Sequence, residues 1–149
     1  MAVFIEINGI KAYTLLDTGS TTLSITHDFA RVANLSFHQL ENPVTLQLGT
    51  VGSRSVINFG VKANLKLGPI YESDIYLDVV NIYRYNVIIG IPFMRKYGLV
   101  LDFNKNTLHV DGQEIKTLSV GQEDLIIVKK RARKMSAGLQ SSSPGRSNN

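Results

Sequence analysis

An all-β domain with one or two short helices is the fold class this sequence predicts, and three observations predict it. Short runs rich in Val, Ile, Leu, Thr, Tyr and Phe recur through residues 1–120, several with the alternation of a half-buried strand. Turn sequences carrying glycine separate them: Asn8-Gly9, Gly49 to Ser53, Gly68-Pro69 and Asp111-Gly112. A single stretch, Thr26 to about Asn34, has the cap and apolar face of a sizeable helix. At 149 residues the chain is one domain by the usual size prior, large enough for a real core.

The elements follow in order. Val3 to Ile7 and Ile10 to Leu16 form a hairpin over Asn8-Gly9, a dipeptide whose two residues both tolerate positive φ. Leu15-Leu16-Asp17-Thr18-Gly19-Ser20 then places an acid at the end of an apolar strand, in a loop that Gly19 allows to fold back so that peptide N–H groups point at the carboxylate. Thr21 to Ile25 is a short strand, and Thr26 caps a helix with Phe29, Val32 and Ala33 on one face. Alternation of Val44, Leu46 and Leu48, the segment Gly49-Thr50-Val51-Gly52-Ser53 and a run from Val56 to Phe59 predict a second hairpin. Strands are expected at Val61 to Leu67 and Ile70 to Val80, then an apolar strand ending at Gly90 and a helical turn from Pro92. Leu99 to Phe103 is the next strand, and residues 102–112 read as two strands joined by Asn-Lys-Asn.

Composition excludes several function classes. No apolar run approaches the ~20 residues of a membrane span, and mean hydropathy is +0.03. The N-terminus lacks a basic region and carries Glu6 where a signal peptide would be apolar, which favours an intracellular setting. The absence of cysteine rules out disulfides and thiolate metal sites. His27 and His38 have no companions at ligand spacing, and Asp102, Asn104 and Asn106 fail as a calcium loop because Thr107 and Gln113 stand where Gly and Glu are required. No metal or cofactor is expected. Of the 16 Lys and Arg, six lie in residues 129–149, where there is no acid, so residues 1–128 carry ten against 12 Asp and Glu. Residues 121–149 therefore read as a basic, disordered tail or linker behind a domain of residues 1–120, and its Lys-Lys-Arg-Ala-Arg-Lys cluster offers at most a weak nucleic-acid contact or a nuclear signal.

An isolated Asp-Thr-Gly would also suit an Asx-turn at a strand end, so the loop needs a second motif. Ile88-Ile89-Gly90, about 70 residues on and followed by Ile91-Pro92-Phe93-Met94-Arg95-Lys96, supplies it, and Leu99-Val100-Leu101-Asp102-Phe103 completes the pattern. Over residues 3–112 this combination resembles the retropepsin-like aspartic proteases, nearest to those of gypsy-type LTR retrotransposons. The resemblance implies a closed acid-protease barrel with one lobe per chain and an endopeptidase that processes a retroelement polyprotein. Asp17 would be catalytic and Thr18, Gly19 and Ser20 would support it: Thr18 locking two loops across a dimer axis, Gly19 binding substrate backbone, Ser20 bonding the outer oxygen of Asp17. Thr50, Val51, Gly52 and Ser53 would tip a substrate-binding flap, and Ile88, Ile89 and Gly90 would pack behind the site. Peptide hydrolysis by aspartates takes two carboxyl groups sharing a proton. The chain has one Asp-Thr-Gly, so a protease built from it is a homodimer acting on an extended peptide. Thr21 and Thr22 stand where retroviral relatives commonly have acids that bind the peptide backbone. A catalytically silent, domesticated dimerisation or peptide-binding module is the alternative.

Overall fold

The computed structural model describes residues 1–47, 54–82 and 84–142, and side chains within 1–40, 59–82 and 84–136. The chain divides into two units, residues 1–117 and 118–149.

In the first unit, β1 (Ala2–Ile7) and β2 (Ile10–Leu16) form the expected hairpin, with Asn8 at φ 50° and Gly9 at φ 79° as the turn requires. After the Asp17 loop come β3 (Leu23–Thr26), α1 (His27–Val32), β4 (His38–Gln47), β5 (Arg54–Leu67) and β6 (Ile70–Val80). The unit ends with β7 (Val87–Ile89), α2 (Ile91–Lys96), β8 (Val100–Asp102), β9 (Thr107–Val110) and β10 (Gln113–Lys116). Six strands close a barrel in the order β1-β2-β7-β3-β6-β5, and β5 returns to β1 through Glu6 opposite Lys66 and Ile7 opposite Leu65. β4 adds to the free stretch of β5, and β8, β9 and β10 form a separate three-stranded sheet. The fold is thus a closed barrel, as the resemblance implied.

Alternation fills the barrel. Val3, Ile5 and Ile7 of β1, Ala12 and Leu16 of β2, Val61, Ala63, Leu65 and Leu67 of β5, Leu77 and Val79 of β6, and Val87 and Ile89 of β7 all join one buried cluster. Leu108 and Val110 of the small sheet belong to the same cluster. The closing seam is held by side-chain amides: the Asn64 N–H donates to Asn8 Oδ1 at 2.7 Å, and the Asp74 N–H donates to Asn64 Oδ1 at 3.0 Å, where a register shift follows Ala63.

Three expectations need correction. The runs Val56 to Phe59 and Val61 to Leu67 are one 14-residue strand, β5. Gly60 does not break it, because the Tyr76 ring lies across that position and would stand 2.2 Å from a Cβ there. In α1 the buried residues are Phe29 and Ala30, with Ala33 buried at the C-cap, whereas Val32 is 66% exposed. The helix is six residues long, so it turns one narrow arc inward, and Val32 falls off that arc. The cap itself is as read: the Phe29 N–H donates to Thr26 Oγ1 at 3.2 Å.

The third correction concerns the second unit. Val120–Ser142 is a 23-residue helix, α3, where composition suggested an irregular tail. Ser119 and Gln122 form a capping box, with the Gln122 N–H on Ser119 Oγ at 3.2 Å and the Ser119 N–H on Gln122 Oε1 at 2.8 Å. Behind it, Leu, Lys, Arg, Ala and Met are good helix formers, and the first proline after it is Pro144. No described helix is long and apolar enough to cross a membrane.

Candidate active site

β7 lies between β2 and β3 and so governs the Asp17 loop. It runs parallel to β2, with Leu15 opposite Ile88 and Leu16 opposite Ile89, and antiparallel to β3, with Leu23 opposite Ile89. Ile89 therefore faces both ends of the loop, and residues 17–22 must arch over whatever follows it. That residue is Gly90. A Cβ there would stand 2.5 Å from the Thr22 carbonyl oxygen and 2.6 Å from that of Ser20, distances no side chain occupies. Gly90 is glycine for close approach, at an ordinary φ of −94°. Main-chain bonds clamp the arch: the Asp17 N–H donates to the Ile89 carbonyl and the Ile91 N–H to the Ser20 carbonyl, both at 2.9 Å.

Within the arch, the Gly19 N–H donates to Asp17 Oδ1 at 2.9 Å, and the Ser20 N–H donates to the Asp17 carbonyl at 3.1 Å. Asp17 is half-buried, and Thr18 and Gly19 are exposed at the crest. The carboxylate is thus fixed in direction yet open to solvent, an arrangement suited to polarising a water. Ser20 departs from its expected partner. Its hydroxyl is buried, donates to the Thr22 carbonyl at 3.3 Å and accepts from the Thr22 N–H at 3.4 Å, and no hydrogen bond joins it to the Asp17 carboxylate. The loop is so tight, with Gly90 beneath it, that the hydroxyl closes the Ser20–Thr22 turn from inside. Thr22 in turn shares a 3.1 Å hydroxyl–hydroxyl bond with Ser24.

The structure thus brings Asp17, Thr18, Gly19 and Ser20 together with Ile88, Ile89 and Gly90. The expected flap residues Thr50, Val51, Gly52 and Ser53 lie outside the described residues; β4 and β5, which flank them, are paired from Gln47 opposite Arg54 back to His38 opposite Gly60.

Two features of the site escape a sequence reading. Asn86 fastens the start of β7: its Oδ1 accepts from the Tyr13 N–H at 2.8 Å, its N–H donates to the Tyr13 carbonyl at 2.8 Å, and its carbonyl accepts from the Thr26 N–H at 2.9 Å. The one signal was a polar residue opening an apolar run. The second is a small apolar cluster outside the barrel, in which Val80 and Ile88 are buried and Leu15, Leu40 and Ile82 pack against them. Leu15 and Ile88 alternate with the inward Leu16 and Ile89, so this cluster lies on the strand face that Asp17 continues. Strands apolar on both faces, as β2 and β7 are here, are its signature.

α2 is anchored from the far side. Lys96 Nζ donates to Glu72 Oε1 at 2.5 Å, and the Tyr97 hydroxyl donates to the same oxygen. The Lys96 bond, followed by that from Tyr97, holds the Glu72 carboxyl below its usual range, while burial first and Glu72 second push the Tyr97 phenol up. On the barrel wall, burial and a 2.8 Å bond to Asp78 Oδ1 push the Tyr76 phenol up to about 12. Among the described residues, no three His, Asp or Glu side chains converge as a metal site.

The barrel resembles solved structures of the same architecture. The retroviral protease-like domain of Ddi1 from Leishmania major superposes with a TM-score of 0.60 at 17% identity, covering 80% of this chain and 94% of that one. The EIAV protease complexed with the inhibitor HBY-793 superposes at 0.54 with 20% identity, covering 69% and 92%. In sequence, the UBA domain-containing protein Mud1 of Schizosaccharomyces pombe is 26% identical over 116 residues, 78% of this chain. The chain spans about a third of that relative's length, 34%. A family model described as the PEG10/RTL1 protease domain matches residues 13–118, from the middle of β2 through the small sheet and including both Asp17 and Gly90. The chain belongs to this PEG10/RTL1 protease domain family, and its barrel is that of a retropepsin-like aspartic protease.

Proposed function

We propose that the chain is an aspartic endopeptidase that works as a homodimer, with Asp17 of each copy forming one catalytic pair. The observation that carries the proposal is the clamped arch over Gly90, which fixes an open carboxylate through main-chain bonds on both sides. One carboxylate alone has the wrong chemistry. At the pH where it is ionised it can activate water but has no proton for the carbonyl oxygen, and when protonated it can do only the reverse. Two brought together repel, so the pair retains one proton between them and supplies both roles. The carboxylate takes the proton from water as the oxygen attacks the peptide carbon, and the protonated partner gives its own to the carbonyl oxygen. Collapse of the diol then breaks the C–N bond: the carboxyl holding the water proton gives it to the leaving nitrogen, and a diol hydroxyl returns a proton to the other carboxylate as the new acid forms.

The partly exposed Leu15, Leu40 and Ile82, backed by the buried Val80 and Ile88, support an apolar side chain next to the scissile bond. The substrate class we infer is an extended segment of a retroelement polyprotein. The second reading is a domain that dimerises or binds peptides without cleaving them; it shares the barrel, which this chain has in common with the retroviral protease-like domain of Ddi1.

Sedimentation of the chain with and without a statine-type transition-state analogue, beside a peptide-cleavage assay, tests both. Hydrolysis, with dimer strengthened by the analogue, is the expected result. A dimer or a peptide-binding chain that cleaves nothing would establish the silent reading, and a chain that stays monomeric and binds neither peptide nor analogue would refute both.

A further inference from the structure

α3 carries an apolar seam that its own unit leaves in water. Leu125, Val128, Ala132 and Met135 recur at intervals of three and four residues, the a and d positions of successive heptads. Leu125 and Val128 are each 61% exposed and Met135 is 69% exposed, and Ala132 is exposed with them. Scattered apolar residues on a surface are ordinary, but four on one helical stripe are a contact face without a contact. Most of a helix's stability in a protein comes from packing its apolar face, so covering the seam is also what would stabilise α3.

We propose that this seam pairs with α3 of a second copy of the chain, in parallel, as a short two-stranded coiled coil. The proposal rests on the homodimer reading above and adds an interface outside the barrel. Charges beside the seam select the partner. With Leu125 at a, Asp124 occupies g and Lys129 occupies e, and in a parallel pair each g residue faces the e residue five positions later on the other helix. Asp124 of one copy thus meets Lys129 of the other, twice per dimer. The next such pair sets Arg131 against Ser136, which adds no like charge. Lys130, Arg133 and Lys134 fall at f, b and c, away from the seam. An antiparallel pair centred between Val128 and Ala132 would oppose Lys129 to Lys129 and Arg131 to Arg131, so charge disfavours it. The parallel order has a functional consequence. Each barrel's chain enters α3 at its N-terminal end, so a parallel seam joins two chains at the same end and raises the effective concentration of one Asp17 loop for the other.

The chain has no cysteine, so introduced thiols report the geometry without background. In the 149-residue chain, Val128→Cys and Met135→Cys are each expected to give a disulfide-linked dimer under mild oxidation, roughly ten times faster than Lys130→Cys on the outer face. Equal rates at all three positions, or linkage of a Val128→Cys chain to an Ala132→Cys chain in preference to itself, would overturn the parallel seam. Sedimentation of charge variants gives an independent reading. Asp124→Lys should weaken dimerisation about tenfold and Asp124→Lys with Lys129→Asp should restore it. Failure of the double variant to recover would also overturn the proposal, as would capture of the seam by anionic vesicles or RNA while the chain stays monomeric. Peptide hydrolysis is scored separately: a chain that cleaves but does not cross-link through α3 loses this inference and keeps the protease reading, and a chain that cross-links without cleaving does the opposite.

Discussion

Gly90→Ala is the substitution that tests the architecture of the site most directly. A Cβ at this position would meet the Thr22 carbonyl oxygen at 2.5 Å, the Ser20 carbonyl oxygen at 2.6 Å and the Ser20 carbonyl carbon at 3.0 Å. All three are main-chain atoms, so no side chain can swing aside to make room. Relief requires the arch to lift by several tenths of an ångström, and the atoms that move include the acceptor of the 2.9 Å bond from Ile91. Overpacking of this kind costs about 1–3 kcal/mol, and weakening one main-chain bond adds about 1 kcal/mol. The sum, roughly 2–4 kcal/mol, is a large part of the stability of a domain this size. Because Asp17 hangs from the same arch, its displacement should lower kcat/KM by about 10²-fold even in the folded fraction. Urea unfolding measures the first effect and peptide hydrolysis at low temperature the second. Gly98→Ala is the control: Gly98 sits at φ 58° in open space, so alanine there costs only the ~1 kcal/mol of a left-handed backbone and leaves the arch alone. Wild-type stability and activity in Gly90→Ala would mean that the loop does not rest on this residue, and the reasoning about the site would fail with it.

The other predictions concern individual groups. Asp17→Asn should abolish hydrolysis with little change in Tm, because the amide oxygen still accepts from the Gly19 N–H but no proton can be shared; activity near wild type would refute the catalytic assignment. Glu72 has a carboxyl pKa lowered by Lys96 and Tyr97, so its contribution is full above the unfolded carboxyl value near ~4.3 and fades as pH falls through the lower folded value. Glu72→Gln should therefore destabilise by about 0.5–1 kcal/mol at pH 7, the figure for a pair whose lysine is largely in water, and the difference from wild type should shrink towards pH 3 in thermal melts. A difference that grows on acidification would refute the pairing. Tyr76, with its phenol pushed up to about 12, contributes below the unfolded value near ~10 and loses that contribution above it. Tyr76→Phe should accordingly remove a drop in stability between about pH 10 and 12 that wild type shows in the same melts.

Much of the barrel was legible because its signals are local. Asn8-Gly9 fixes a hairpin by backbone preference alone, Thr26 caps α1 through one side-chain bond, and the alternation along β1 and β5 places Val3, Ile5, Leu65 and Leu67 inside without reference to the rest of the chain. The split between the runs Val56 to Phe59 and Val61 to Leu67 failed at Gly60 for the opposite reason. Its role is set by Tyr76 on the neighbouring strand, sixteen residues away, and a glycine in a strand looks the same whether it breaks the strand or makes room for a ring. α3 was hidden by composition: Lys and Arg suggest disorder when counted, yet they are good helix formers, and the Ser119–Gln122 capping box was a sequence-level signal that charge counting passed over. Barrel closure itself, β5 meeting β1 through Lys66 and Glu6, has no local signature and entered only through family resemblance.

Ser20 separates what resemblance conveys from what geometry decides, and it supports the last prediction. If its hydroxyl bonded the outer oxygen of Asp17 it would favour the ionised carboxylate, and Ser20→Ala would raise the acid-side apparent pKa of kcat/KM. In the structure the hydroxyl is spent on both main-chain groups of Thr22, at 3.3 and 3.4 Å, inside the arch that Gly90 admits. Both bonds are long, so their loss from a buried site should cost about 1 kcal/mol of stability. The carboxylate keeps its bond from the Gly19 N–H in either variant. Ser20→Ala is therefore expected to lower Tm by a few degrees and leave the acid limb of the pH–rate profile where it was. A limb displaced by a unit at unchanged Tm would mean that the hydroxyl leaves Thr22 for Asp17 when the active pair assembles, and that the arch is remodelled by the partner rather than built by this chain alone.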